Sequence, residues 1–198
     1  MNDKSGTMSQ FFGGDDMENR VQNDRIFLRE MKFEDWVDVH SYASIENACQ
    51  FQPWGPNTVE ESKEFVAQVL KDASARPRTR FSYAVVLKET GELIGCGEIN
   101  IRDRTNRSGE IGYIIHPKHW KMGYATEVAE LLIDFGFEKL RLHRVYATCD
   151  PRNIGSKKVL EKSGMRKEGQ IRDHLWIKNE WRDSLLYSIL EHENRARV

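Results

Sequence analysis

Residues 110–125 read EIGYIIHPKHWKMGYA, a short apolar strand that runs through a proline-containing turn directly into a helix opened by Gly123. The first turn of a helix leaves backbone N–H groups without partners and carries partial positive charge, so it can hold a phosphate. A glycine there lets a ligand approach the backbone closely. Basic side chains surround the turn: His116, Lys118, His119 and Lys121. The segment predicts an anion-binding helix start; the alternative is an ordinary loop between a strand and a helix.

The composition predicts one globular unit that binds its partners locally. With 198 residues and 39% hydrophobic content, the chain is long enough for one sizeable core. Its net charge of −1 and its scattered positive residues argue against duplex nucleic acid or an anionic membrane as the main partner. Cys49, Cys96 and Cys149 are odd in number and widely spaced, which predicts buried free thiols. No apolar run is long enough to span a bilayer and no signal-peptide pattern begins the chain, so we expect a cytoplasmic protein.

We expect a tail followed by a single domain. Residues 1–22 are rich in Asp, Asn, Gly, Ser and Gln, apart from Phe11 and Phe12, and predict a flexible tail. Residues 23–198 are expected to form the domain.

Hydrophobic spacing within the domain predicts a mixed α/β (α+β) fold. A helix that begins at Thr58 is marked by a capping box with Glu61. The other predicted helices cover residues 33–45, 123–140 and 153–163. The predicted strands begin near Asp24, form an antiparallel meander over 81–88, 92–101 and 109–116, and continue at 143–149, 171–177 and 181–190, with a turn near Asn179 and Glu180.

Two segments together carry a resemblance to a known family. Neither the GxGxxG pattern of dinucleotide-binding folds nor the GxxxxGK[ST] phosphate loop occurs. The segments HPKHWKMGYATEVAELLIDFGF and DPRNIGSKKVLEKSGMRKEG resemble the GNAT superfamily of acetyl-CoA-dependent N-acyltransferases. That family's pyrophosphate loop reads [QR]xxGx[GA], and a later helix carries Asn followed three residues on by Ser or Tyr. The matching residues are Gly123, Ala125, Asn153 and Ser156.

The closing hairpin resembles one branch of this superfamily, the RimJ/RimL-type N-terminal acetyltransferases of ribosomal proteins. The hairpin reads IRDHLWIKNEWRDSLLYSIL, in which the matching residues are Arg172, Trp181, Arg182 and Asp183. The loop departs from the superfamily pattern: Trp120 stands where Gln or Arg is usual, and Lys121 where glycine is frequent. Tryptophan is common in the RimJ/RimL branch.

The resemblance implies a mostly antiparallel central sheet of about seven strands, flanked by about four helices and splayed between the fourth and fifth strands. Acetyl-CoA is the implied cofactor, with its pyrophosphate at Gly123 and its pantetheine arm in the splay. Backbone N–H groups near residues 114–116 are then expected to polarise the thioester carbonyl. The residues expected to bind the cofactor are Ile114, Ile115, His116, Trp120, Lys121, Met122, Gly123, Tyr124, Ala125, Thr126, Asn153 and Ser156.

Carboxylates near the splay are candidates for the base that takes a proton from the acceptor amine. Glu110 is the first candidate and Glu98 the second; the alternative for both is a solvated or ion-paired strand carboxylate. Ser156 is a candidate donor to the departing sulfur, although Asn153 and Ser156 also suit a helix start. Phe51 and Trp54 are expected to shape the acceptor pocket unless they are core residues. No metal is expected, because His116 and His119 have no obvious third ligand.

The expected activity is transfer of acetyl to a primary amine by direct attack in a ternary complex. A protein N-terminal α-amine, such as that of a ribosomal protein, is the favoured acceptor, because deprotonating it at pH 7 costs about 1 kcal/mol against about 5 kcal/mol for a lysine side chain. A polyamine, an amino acid or an antibiotic amine is the alternative acceptor. The alternative function is a non-catalytic acyl-CoA-binding module. The chain is expected to be a monomer or a homodimer.

Overall fold

A computed structural model of the chain describes residues 21–195. Within them, eight strands form one sheet in the order β1-β2-β3-β4-β5-β6-β8-β7. The strands are β1 (Val21–Gln22), β2 (Ile26–Glu30), β3 (Arg80–Leu87), β4 (Leu93–Asp103), β5 (Ser108–Ile115), β6 (Arg144–Cys149), β7 (Arg166–Ile177) and β8 (Glu180–Leu190). The helices are α1 (Trp36–Ala43), α2 (Glu46–Cys49), α3 (Val59–Ser74), α4 (Tyr124–Glu138), α5 (Ile154–Lys162) and α6 (Glu191–Arg195).

The mixed, mostly antiparallel sheet predicted from the sequence is confirmed. All neighbouring strands pair antiparallel except β5 and β6, which are parallel. The described residues hold eight strands and six helices where about seven and about four were predicted. The additional elements β1, α2 and α6 have two, four and five residues, too short to show a hydrophobic period.

Two residues that the sequence analysis assigned to the tail belong to the sheet. Val21 and Gln22, assigned to the tail, pair with Leu28 and Phe27 as β1. Asn23 holds the turn, because its side-chain oxygen accepts hydrogen bonds from the N–H groups of residues 25 and 26, each at 2.9 Å. Residues 1–20, including Phe11 and Phe12, lie outside the described residues.

Apolar side chains cover both faces of the sheet. One face packs against α4 and α5 through buried residues such as Ile99, Leu132 and Val145. The other packs against α1 and α3 through residues such as Val39 and Val66. Helix α3 begins at the predicted capping box, in which the Thr58 side chain accepts from the Glu61 N–H. The three cysteines are buried free thiols, as predicted. In this part of the chain no helix is long and apolar enough to cross a membrane.

The sheet splits between β5 and β6. Their parallel pairing ends at Glu110 and Tyr146, whereas β5 stays paired with β4 as far as Ile115 and β6 stays paired with β8 as far as Cys149. Beyond residue 110 the facing edges of β5 and β6 therefore separate. This is the splay predicted between the fourth and fifth strands. Because β1 was not predicted, those two strands are numbered β5 and β6 in the structure.

The chain ends in a long hairpin of β7 and β8. Its two-residue turn is Lys178 and Asn179, both with positive φ (49° and 63°), the backbone that favours a tight hairpin with twisted strands. The turn was predicted near Asn179 and Glu180, and Asn179 is its second residue. Strand β7 is irregular in its middle, where its register with β8 shifts between Ile171 and Leu175.

Candidate active site

The split between β5 and β6 opens a cleft of about 620 Å³, a size typical of small-molecule and cofactor sites. Residues 111–115 line one wall and residues 147–150 the other, and the starts of α4 and α5 close it. Most residues predicted to bind the cofactor line this cleft: Ile114, Ile115, Trp120, Lys121, Gly123, Tyr124, Ala125, Thr126, Asn153 and Ser156. His116 and Met122 are not among its lining residues. The binding roles themselves stay predictions.

Gly123 is the N-cap of α4 and has a left-handed backbone with φ 91°. Such a conformation is unfavourable for a residue with a Cβ. A Cβ here would also lie 3.2 Å from Nη2 of Arg25. Arg25 donates to the Met122 carbonyl at 3.0 Å and forms an ion pair with Glu127 in the first turn of α4. Arg25 therefore fixes the loop in place through these two contacts. The sequence analysis did not select it, because it lies 97 positions from Met122 in the chain.

The positive charge predicted around the loop is smaller than the sequence suggests. Lys118 forms an ion pair with Glu92, and His119 Nε2 lies 3.4 Å from the same carboxylate. Burial lowers the pKa of His116, and its Nδ1 accepts the Lys118 N–H, so His116 is neutral at pH 7. Lys121 lines the cleft, and α5 adds Lys158 and Lys162, which the sequence analysis did not select.

The departure at Trp120 has a structural explanation. The indole N–H of Trp120 donates to the Ile115 carbonyl at 2.7 Å. Trp120 thereby fixes the loop to the end of β5 with a hydrogen bond of its own.

Backbone N–H groups face the cleft on one edge of β5. The His116 N–H was expected to be available, but it donates to the Ile94 carbonyl of β4 at 2.7 Å. Successive residues of a strand turn their N–H groups to opposite edges, so the Ile114 N–H also faces β4. The N–H groups of Tyr113 and Ile115 face the cleft instead. If backbone N–H groups polarise the thioester carbonyl, they are therefore those of Tyr113 and Ile115, and not those of Ile114 and His116.

Ser156 lies at the start of α5 in contact with β5. Its N–H donates to the Asn153 side-chain oxygen at 3.0 Å, which confirms Asn153 as a helix cap. Its hydroxyl lies 3.0 Å from the Tyr113 hydroxyl. Burial raises the pKa of Tyr113, so the phenol keeps its proton at pH 7. Tyr113 lay within the first segment analysed, yet only the packing of α5 against β5 reveals its partner.

Cys149 also lines the cleft, at the end of β6. Burial raises the pKa of its thiol to about 11. At pH 7 Cys149 is therefore a neutral thiol and a weak nucleophile.

A second cavity, of about 270 Å³, lies over β5, β6, β8 and β7. We call it the Glu110 cavity; its lining residues are Glu110, Arg144, Tyr146, Thr148, Ile171, His174 and Leu186. Thr148 lines both this cavity and the cleft. The cavity thus adjoins the cleft where β5 and β6 separate. Of its lining residues, the sequence analysis selected Glu110 alone.

Both candidate carboxylates are bound to arginines. Oε2 of Glu110 lies 2.8 Å from Nη2 of Arg102, and its other oxygen lies 3.4 Å from the Thr148 hydroxyl. Oε2 of Glu98 lies 2.7 Å from Nη2 of Arg80. Each carboxylate therefore already has a cationic partner. Arg80 also pairs with Asp72, and the neighbouring Arg78 pairs with Glu30.

The predicted acceptor residues lie in different surroundings. Phe51 lines the cleft, whereas Trp54 packs against the core between the sheet and α1 and α3. The hairpin holds the segment before them, because Lys178 and Arg182 donate to the carbonyls of residues 49 and 50 at 2.9 and 3.0 Å. The substrate roles of Phe51 and Trp54 stay predictions. Among residues 21–195 no group of three or more His, Cys, Asp or Glu side chains is arranged to hold a metal ion.

A split sheet with a glycine-capped helix at its cleft is the architecture that the resemblance implied, and comparison with known proteins confirms it. The acetyltransferase (GNAT) domain family matches residues 25–166. The chain therefore belongs to the GNAT acetyltransferases, and it is an N-acetyltransferase.

The relatives include an uncharacterized N-acetyltransferase and two enzymes whose names give different acceptors. The chain is 35% identical to YnaD, an uncharacterized N-acetyltransferase of Bacillus subtilis, over 87% of this chain and 98% of that protein. It is 27% identical to the spermidine N(1)-acetyltransferase of Escherichia coli, over 85% of this chain and 88% of the relative. The crystal structure of ribosomal-protein-S5-alanine acetyltransferase from Vibrio fischeri has a TM-score of 0.73 and 26% identity, and the match covers 87% of this chain and 96% of that one.

Proposed function

We propose that this protein transfers acetyl from acetyl-CoA to the α-amine of a polypeptide, by direct attack of the amine on the bound thioester. The observation that carries the proposal is the cleft between β5 and β6, with the Gly123 start of α4 at its end and the Glu110 cavity beside it.

The residues of the cleft fit acetyl-CoA. The first N–H groups of α4 suit a pyrophosphate, because Gly123 brings no side chain over them. Lys121, Lys158 and Lys162 supply positive charge along the cleft. The edge of β5 offers the N–H groups of Tyr113 and Ile115 to amide and thioester carbonyls. When bound, acetyl-CoA supplies an acetyl group activated as a thioester.

Direct attack is favoured by the state of Cys149. An acyl-enzyme route needs an activated nucleophile in the cleft, and Cys149 is the cysteine that lines it. Because burial raises the pKa of this thiol to about 11, little thiolate is present at pH 7. The paired hydroxyls of Ser156 and Tyr113 are suited to donate a proton to the departing sulfur.

The ion pairs of the carboxylates that line the two cavities favour a singly charged acceptor over a polyamine. These carboxylates pair with arginines, Glu110 through one oxygen with Arg102 and Asp150 with Arg152, and the other oxygen of Glu110 is left for a single ammonium group. A polyamine carries further cationic groups, for which these two pairs provide no second carboxylate. An α-amine is also the easier group to deprotonate, at about 1 kcal/mol at pH 7.

The hairpin supports the RimJ/RimL type and a ribosomal-protein terminus as acceptor. Its Trp-Arg-Asp run has defined tasks, since Arg182 holds the residue 50 carbonyl and Asp183 accepts the Asp173 N–H. The Vibrio fischeri enzyme described above acts on a ribosomal-protein alanine. The spermidine acetyltransferase of E. coli keeps a polyamine as the second candidate.

The test is steady-state release of CoA thiol across an amine panel. Peptides that begin with Ser, Ala or Met, spermidine and free amino acids serve as acceptors, and mass spectrometry locates the acetyl group. The matched control is the same peptide with its N-terminus already blocked. We expect release with the free peptides and none with the blocked ones. Acetylation of spermidine with no acetylation of any peptide would overturn the proposed acceptor class.

A further inference from the structure

His174 is the titratable group of the Glu110 cavity that the sequence analysis did not select. We infer that His174 accepts the proton that the acceptor amine loses, while Glu110 binds the amine in its ammonium form. The inference rests on the proposed acetyl transfer, but it holds for any primary amine that enters the cavity.

The irregular part of β7 places His174. Asp173 has a left-handed backbone with φ 47°, and its N–H donates to Asp183 of β8 at 2.9 Å. The register with β8 shifts between Ile171 and Leu175. Bulges of this kind are frequent beside active sites, where they redirect a side chain. Here the redirected residue is His174, which lines the Glu110 cavity.

Ser184 orients the imidazole. His174 Nδ1 lies 2.9 Å from the Ser184 hydroxyl, so one ring nitrogen is engaged by β8. Nε2 remains for the contents of the cavity. His174 is also exposed to water, which allows it to release a proton after each turnover.

The other charged groups around the cavity are less suited to accept the proton. One oxygen of Glu110 is already engaged by the guanidinium of Arg102. Arg144 is a cation paired with Glu168 at 2.6 Å. Burial raises the pKa of Tyr146, so this phenol is protonated at pH 7. The charged and titratable groups on the elements around His174 are Arg102, Glu110, Arg144, Tyr146, Glu168, Arg172, Asp173 and Asp183. Histidine is the side chain whose ordinary titration falls between about pH 5 and 8.

The proton balance is complete with these groups. The ammonium gives one proton to His174 Nε2, and the nitrogen lone pair forms the new bond to the acetyl carbon. The bond between carbon and sulfur breaks, and its electron pair leaves with sulfur. The second amine proton goes to that sulfur with the help of Ser156, and His174 returns its proton to water. The net products are the amide, the CoA thiol and one proton.

The pH dependence of kcat tests the assignment, because it reports groups in the enzyme–substrate complex. Wild type, His174→Gln and Glu110→Gln are compared with the best amine of the panel, whatever its class. For His174→Gln we expect kcat to fall about 100-fold at pH 7 and the acidic limb of the wild-type pH profile to disappear. For Glu110→Gln we expect the limb to remain and the KM for the amine to rise. His40→Gln is the matched control, since His40 also bonds a serine, Ser62, at 3.1 Å but lies outside both cavities.

Chemical rescue separates proton transfer from a structural role. Added imidazole is expected to restore much of the kcat of His174→Ala and to leave Glu110→Gln unchanged. Calorimetry is expected to show wild-type affinity for acetyl-CoA in His174→Ala. An acidic limb that survives in His174→Gln and vanishes in Glu110→Gln would overturn the inference. Failure of all peptides as acceptors, with an intact His174 effect on another amine, would overturn only the proposed acceptor.

Discussion

At the scale of single residues, the partner of a side chain determines its chemistry in this protein. Glu110 and Glu98 are identified as strand carboxylates by sequence, but only the fold shows that each forms an ion pair with an arginine. Tyr113 and Ser156 are 43 positions apart in the chain and meet only when α5 packs against β5. Residue types could therefore be selected from the sequence, while their partners were revealed only by the fold.

Glu110→Gln tests the carboxylate of the Glu110 cavity. The change removes a negative charge near the acceptor but leaves the cleft intact, so we expect kcat/KM for the amine to fall about 10-fold or more. The affinity for acetyl-CoA should stay within about twofold of wild type, because Glu110 is not a lining residue of the cleft. Steady-state kinetics and calorimetry measure the two quantities. Unchanged kinetics with a good acceptor would remove Glu110 from the site.

Cys149→Ser tests direct attack. Because burial raises the thiol pKa to about 11, the thiolate is scarce at pH 7 and kcat is expected to change less than about threefold. Mass spectrometry of wild type incubated with acetyl-CoA alone should show no acetylated cysteine. A stable acetyl adduct on Cys149, together with loss of activity in the variant, would contradict the ternary-complex mechanism.

At the scale of elements, the sequence predicted the helix starts that depend only on neighbouring residues. The start of α3 was visible because Thr58 and Glu61 cap it within one turn. The start of α4 was visible because Gly123 supplies a backbone that few other residues adopt. The bulge in β7 depends instead on a contact from β8 to Asp173. No pattern in the IRDH segment alone could predict it.

Gly123→Val tests the start of α4. A β-branched residue at φ 91° is strained by about 1–2 kcal/mol, and it would crowd Arg25, so the loop should move. We expect the Kd for acetyl-CoA to rise about 10-fold or more, as measured by calorimetry. Gly91→Val is the matched control: Gly91 also has positive φ, 73°, but no atom lies within 4 Å of its added Cβ. Equal affinities for the two variants would contradict the proposed phosphate site.

At the scale of the whole molecule, ion pairs connect segments that are far apart in the chain. Arg144 of β6 reaches Glu168 of β7 across β8. The hydrogen bonds from Arg144 lower the pKa of Glu168 to about 2. Burial by itself would raise the pKa values of Asp150 and Asp35, but hydrogen bonds from arginines and backbone N–H groups, together with nearby positive charges, lower them.

These lowered values predict acid destabilisation. A carboxyl group whose pKa is lower in the folded than in the unfolded state stabilises the fold above its unfolded value, about 4.3 for Glu, and this contribution is lost as pH falls through about 2. Urea denaturation from pH 7 to 2.5 should therefore show a falling free energy of unfolding. Glu168→Gln should flatten the curve, and Glu89→Gln, in the exposed turn between β3 and β4, should not. A curve for Glu168→Gln parallel to wild type would contradict the assignment.

The sequence by itself determined the order and type of the main elements, including the glycine-opened helix and the turn before it, because periodicity, capping and backbone preference act within a few residues. The tertiary structure alone decided where β5 and β6 separate, which N–H groups face the cleft, and that His174 shares a cavity with Glu110. Those features depend on strand pairing and packing between segments far apart in the chain. Such long-range contacts are set by the folded molecule as a whole, so no local pattern in the sequence encodes them.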